Sequence, residues 1–150
     1  MRQKSITIYV DADACPVKKE IDKLAVEHGA EAVFVASYSH FSSDKYKGKL
    51  ITVDAEPEAA DLYIVNHAKK NDVVITHDNG LAAMLLHNGT KVISFRGKEW
   101  KNEDTDALLL GRLQGIQAKK QKKMRLKGPP PFSQSDRNNF TETLSRILKE

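Results

Sequence analysis

Two carboxylates one residue apart, Asp11 and Asp13, stand in the string Asp11-Ala12-Asp13-Ala14-Cys15-Pro16. The residues before them, Ser5-Ile6-Thr7-Ile8-Tyr9-Val10, are β-branched and aromatic and predict a buried strand. Pro16 suits the first position of a helix. The pair therefore falls where a strand ends and a helix starts, the edge at which open α/β sheets bind ligands. In an extended segment both acids project to the same side. Two like charges ~4 Å apart repel by ~4 kcal/mol at an effective dielectric of about 20. A cation offsets that repulsion, and a divalent metal is the usual candidate. The alternative assignment makes one Asp a helix cap and leaves the other in water.

Two further acids share this character. A helix is expected from about Pro57, with Ala60, Ile64, Val65 and Ala68 on its apolar arc and Asp61 inside that arc. A carboxylate there is costly unless it is paired, hydrogen-bonded or metal-bound. Asp78 follows the predicted strand Val73-Val74-Ile75-Thr76 and precedes the apolar helix Leu81–Leu86. An N-cap is a common role for Asp in that place. If the two acid-bearing strands are neighbours, Asp11, Asp13, Asp61 and Asp78 converge on one pocket. Hard oxygen ligands of this kind suit Mg²⁺ or Mn²⁺. Thr76 and Asn79 are then placed to orient a ligand or water. Cys15 reads as a small packing residue: a helix N-terminus favours a thiolate, but the nearby acids oppose it. The five histidines show no zinc-ligand spacing, and His77 beside Asp78 is the one of interest.

The elements that must position these residues are legible along the chain. A helix is expected from Pro16 to about His28, with Val17, Ile21, Leu24 and Ala25 on one face and Gly29 as its stop. Strands are expected at Ala32–Ala36, Leu50–Val53 and Lys91–Phe95, with a polar loop from Ser37 to Lys49. Arg96-Gly97-Lys98 forms a small basic turn. A further helix spans about 102–117. Gly128-Pro129-Pro130-Pro131 favours extended chain, and Ser133 to Asp136 opens a last helix with a capping-box pattern. Strands alternating with helices predict an α/β fold, a mostly parallel sheet of about five strands with helices on both faces. The expected organisation is one domain over 1–117, a basic and Pro-rich linker over 118–134, and a docked helix over 135–150.

Charge and length bound the rest. The chain has 150 residues, a net charge of +4 and one cysteine. Residues 112–127 hold seven bases and no acid, so the remainder is acidic by three. Lys119, Lys120, Lys122, Lys123 and Arg125, with Arg96 and Lys98, are candidates to hold phosphates. A solvated linker is the other reading of that run. No internal disulfide can form, which fits a reducing, cytoplasmic setting. The first apolar run stops at Asp11, too early for a signal peptide, and no stretch approaches the ~20 apolar residues of a membrane span. The apolar positions of the last helix would also serve a homo-oligomer.

Asp11-Ala12-Asp13-Ala14-Cys15-Pro16-Val17, Ala59-Ala60-Asp61, Val74-Ile75-Thr76-His77-Asp78 and Gly128-Pro129-Pro130-Pro131-Phe132 together resemble the YaiI/YqxD family of small bacterial proteins, within the wider set of PIN-like domains. The resemblance covers nearly the whole chain. It implies a PIN-like fold whose clustered acids bind Mg²⁺ or Mn²⁺ and cleave RNA. Asp11 resembles the acid closing the first strand, Asp61 the acid on an internal helix, and Asp78 the acid of a T-x-D-x-x-L element. The chain departs from the pattern after that element, where Asn79 stands in place of a further acid. Three functions are thereby set against each other. The first is a metal-dependent nuclease. The second is a phosphatase of the haloacid-dehalogenase kind, with Asp11 as nucleophile and Asp13 as acid. The third is a non-catalytic RNA-binding protein.

Overall fold

A computed structural model describes residues 6–13, 15–37, 46–54, 56, 58–104 and 131–150. The strands are β1 (Thr7–Asp11), β2 (Glu31–Ser37), β3 (Lys49–Val53), β4 (Val73–Ile75), β5 (Lys91–Ile93) and β6 (Glu99–Trp100). The helices are α1 (Lys18–His28), α2 (Ala59–His67), α3 (Asn79–His87) and α4 (Gln134–Lys149), with a 3-10 turn at Asn102–Asp104. The six strands form one sheet in the order β3-β2-β1-β4-β5-β6. All pairs are parallel except β5 with β6. The sheet thus has one strand more than the sequence predicts. β6 is two residues long, too short to carry an alternating pattern.

Strand polarity explains the two-sided covering. The chain moves outward from β1 to β3 in one direction and from β4 to β5 in the other. Crossovers between parallel strands share one hand, so reversing direction moves the helix to the opposite face. Ile8 and Val10 face α1 and α4, packed with Ile21, Leu24, Phe34, Phe140, Leu144 and Ile147. Tyr9 faces the other way with Val33, Val35 and Val74, under Ile64 of α2 and Leu81 and Leu85 of α3. β1, β2, β4 and β5 are buried on both faces, which explains their nearly unbroken apolar runs.

α4 is fastened as well as buried. Ser133 accepts from the Asp136 N–H and Asp136 returns the bond to the Ser133 N–H, a complete capping box. On one side of the helix, Asn139 donates to the Arg96 carbonyl and Thr143 to the Gly97 carbonyl, both at 2.8 Å. Gly97 has φ +91°, and a Cβ there would stand 2.7 Å from the Asn139 backbone, so this turn requires glycine. Ser133→Ala is expected to lower stability by about 1 kcal/mol, or about 2–4 °C in Tm for a chain of this size. A thermal melt checks it. No helix among the described residues is long and apolar enough to cross a membrane.

Candidate functional site

β1 and β4 are adjacent, and the strand order reverses between them. A crevice opens at the carboxyl ends of the strands at such a reversal, and ligands of open α/β sheets bind there. Asp11 is the last residue of β1 and Thr76 the first beyond β4. The ladder carries on past both strands: the Ala12 N–H donates to the Val35 carbonyl and the Thr76 N–H to the Ile93 carbonyl. Asp11 alternates with Tyr9, and Thr76 with Val74, so both side chains lie on the α2/α3 face.

The Thr76 hydroxyl joins the two ends. It donates to Asp11 Oδ2 at 2.9 Å and accepts from the Asp78 N–H at 3.0 Å. Thr76 is fully buried. Asp78 in turn caps α3, its Oδ1 accepting the Leu81 N–H at 2.9 Å. Asp78 is therefore the N-cap the sequence allowed, and that cap also holds it beside Asp11.

Asp11 differs from other acids of the chain in how it is satisfied. Asp13, Asp22, Asp72 and Asp136 each accept two hydrogen bonds. Asp11, half-buried, accepts one among the described residues. Burial pushes its carboxyl above the ordinary carboxylate value. The Thr76 hydroxyl and the charge of His77 pull it down, while the negative charges of Asp78 and Asp13 add to the rise. Asp11 is thus a carboxylate whose charged form is disfavoured by burial first and by its acidic neighbours second.

The remaining expected residues fall as follows. Asp13 lies in the turn after β1, and its oxygens accept the Ser37 N–H at 2.9 Å and the Ser37 hydroxyl at 2.6 Å. It pins the turn to the end of β2. Asp61 sits half-buried in the first turn of α2, on the same side of the sheet as Asp11. It has partners of its own and is not among the charges that weigh most on Asp11. Asn79 opens α3. Arg96 forms an ion pair with Asp136 at 2.6 Å, and Lys98 lies over the Trp100 ring at 4.6 Å. Lys119, Lys120, Lys122, Lys123 and Arg125 lie outside the described residues, as does the expected helix beyond Asp104. Cys15 is buried among the α1/α4 core, and burial pushes its thiol up to about 12, so it packs and does not ionise.

A cation fits this donor set in one form. Among the described residues, no three acid, histidine or cysteine side chains are grouped to hold an ion. Mg²⁺ does not need such a cage: it retains several waters and is held by one or two carboxylates together with substrate phosphate. Asp11 and Asp78 would supply that pair.

A family profile described as "Uncharacterized BCR, YaiI/YqxD family" matches residues 9–150. The chain belongs to the YaiI/YqxD family. It is 45% identical to a UPF0178 protein of Bacillus cytotoxicus, over 94% of this chain and 91% of that one. It is 43% identical to a UPF0178 protein of Halalkalibacterium halodurans, over 94% and 89%, and 42% identical to one of Listeria monocytogenes, over 95% of each. No solved structure gives a significant match.

Three further residues of this YaiI/YqxD chain brace the two strand ends, and two of them, Ser37 and Arg137, have no sequence signal for it. Ser37 reads as the start of a loop, yet it clamps Asp13. His77 tilts against Phe95, with ring centroids 4.6 Å apart, and its charge acts on Asp11. Arg137 reaches back to Pro16 and Glu20 across more than a hundred residues. Only His77 carried a sequence signal, through its place beside Asp78.

Proposed function

We propose that the crevice between β1 and β4 is a divalent-cation site for phosphodiester hydrolysis, with RNA as the substrate class. The observation that carries this reading is Asp11: half-buried, raised by burial and by its acidic neighbours, and tied through one hydroxyl to the residue that caps α3. Asp11 and Asp78 would hold Mg²⁺ or Mn²⁺. When bound, the cation supplies Lewis acidity toward the scissile phosphate.

The chain's own residues do the rest. Thr76 restrains Asp11 by donating to Oδ2, so that Oδ1 is the oxygen it leaves for a cation. Asp78 is held by the first turn of α3, so its position follows that of a buried helix. Asp13 keeps the turn against β2. The phosphatase alternative needs Asp13 to reach the leaving-group oxygen of the phosphoester that Asp11 attacks; the Ser37 clamp on both its oxygens argues against that. A family resemblance to PIN-like domains favours RNA over a small phosphoester, and the basic run at 119–127 suits a polyanion.

The test is direct. The full chain is incubated with single-stranded RNA in Mn²⁺, in Mg²⁺ and in excess EDTA. Cleavage that needs the cation and stops with EDTA is the expected result. Intact RNA in every cation condition, or cleavage indifferent to EDTA, would overturn the reading.

A further inference from the structure

The end of the sheet that carries Asp11 also carries a bracket built from the C-terminal segment. The Phe132 ring packs against two guanidinium groups, with Arg96 Cζ 5.7 Å and Arg137 Cζ 5.2 Å from its centroid. Arg96 continues to Asp136 in the first turn of α4. Arg137 continues in the other direction. Its Nη1 donates to the Pro16 carbonyl at 2.9 Å and to Glu20 Oε2 at 2.8 Å.

Pro16 closes the turn that Asp11 opens. At its start that turn is held by the Ala12 N–H on Val35 and by the Asp13–Ser37 clamp. At its end α1 has no side-chain cap of its own. Arg137 fastens this end from outside in another way, donating to a carbonyl before the helix and to an acid in its first turn. Its side chain is about two-thirds covered, and packing against the Phe132 ring further limits its freedom.

We propose that Arg137 is a positioning residue for the acid-bearing turn, fixing its end at Pro16 and Glu20 so that Asp11 keeps the direction Thr76 gives it. This rests on the reading of Asp11 and Asp78 as a cation site. Two mechanisms then predict opposite signs. If Arg137 acted only as a nearby positive charge, removing it would tighten cation binding. If it positions the turn, removing it loosens the site, and supporting residues of metal sites are worth 10–100-fold in affinity.

Mn²⁺ affinity, read from the loss of the free-ion electron paramagnetic resonance signal, separates the two. The proteins compared are the full chain, Arg137→Gln, Arg137→Lys and Arg146→Gln. The last removes another α4 ion pair, with Glu99, away from the turn. Arg137→Gln is expected to weaken Mn²⁺ binding at least 10-fold. Arg137→Lys, which keeps the charge but lacks the planar group that packs on Phe132, is expected to weaken it about 3-fold or more. Arg146→Gln should stay within 2-fold. Unchanged or tighter binding in both Arg137 variants, with the unaltered chain binding Mn²⁺, would overturn this inference and leave the site reading intact. Failure of the unaltered chain to bind Mn²⁺ would overturn the site reading, and this inference with it. Should Arg137→Gln fail to fold, the lysine variant decides.

Discussion

Asp11→Asn is expected to make the protein more stable and inactive at once. The sign follows from its raised carboxyl. A group that binds its proton more tightly in the folded state favours folding below its unfolded pKa. That contribution is lost as pH rises through the folded value. At neutral pH the charged Asp11 therefore works against the fold. Asparagine keeps an oxygen for the Thr76 hydroxyl and removes the charge. Relieving one like-charge contact at a partly wet strand end is worth on the order of 1 kcal/mol, or about 2–4 °C in Tm. The gain should be present at pH 7 and fade as pH falls through the raised carboxyl range, where the native acid takes up its own proton. Cation-dependent RNA cleavage should fall by at least ~100-fold, since one of two cation-holding carboxylates is gone. Melts across pH, paired with the cleavage assay, check both halves. A variant that is less stable at pH 7, or that cleaves normally, would remove Asp11 from the role given to it.

Thr76→Val comes second in expected effect. The isosteric methyl leaves two polar groups without their partner, Asp11 Oδ2 and the Asp78 N–H. Leaving a buried polar group unsatisfied costs about 1–3 kcal/mol. Supporting partners of metal-binding carboxylates typically contribute 10–100-fold in affinity or activity. A Tm lower by about 2–10 °C and cleavage reduced by about 10–100-fold are therefore expected together. Thr76→Ser should restore most of both, because it retains the hydroxyl. Loss in the serine variant equal to that in the valine variant would assign Thr76 to packing alone.

The backbone of this account was readable in the chain, and its corrections came from contacts distant in sequence. Ile8, Val10, Val33, Val35, Val74 and Ile75 announce buried parallel strands because both their faces are covered. The sequence predicts four acids meeting where two strand ends are neighbours; β1 and β4 do pair, and the Thr76 hydroxyl links Asp11 to the Asp78 N–H there. Asp13 behaved differently because alternation holds only within a strand. β1 ends at Asp11, the chain turns, and Ser37 captures the second acid. β5 stops at Ile93, short of Phe95, because the Ser94 N–H bonds to the Lys98 carbonyl and turns the chain into β6. Arg96 looked like a phosphate ligand from its place after a strand, and its ion pair with Asp136 depends on a helix forty residues on. No local pattern encodes such a pairing.

Anomalous diffraction from crystals of the full chain, soaked with Mn²⁺ and a phosphorothioate dinucleotide that resists hydrolysis, bears most directly on these assignments. A manganese peak within coordination distance of both Asp11 and Asp78, sharing a phosphate oxygen, is the predicted result. A nucleotide bound with no manganese at that crevice, or manganese held by other residues while Asp11 and Asp78 stay uncoordinated, would contradict it.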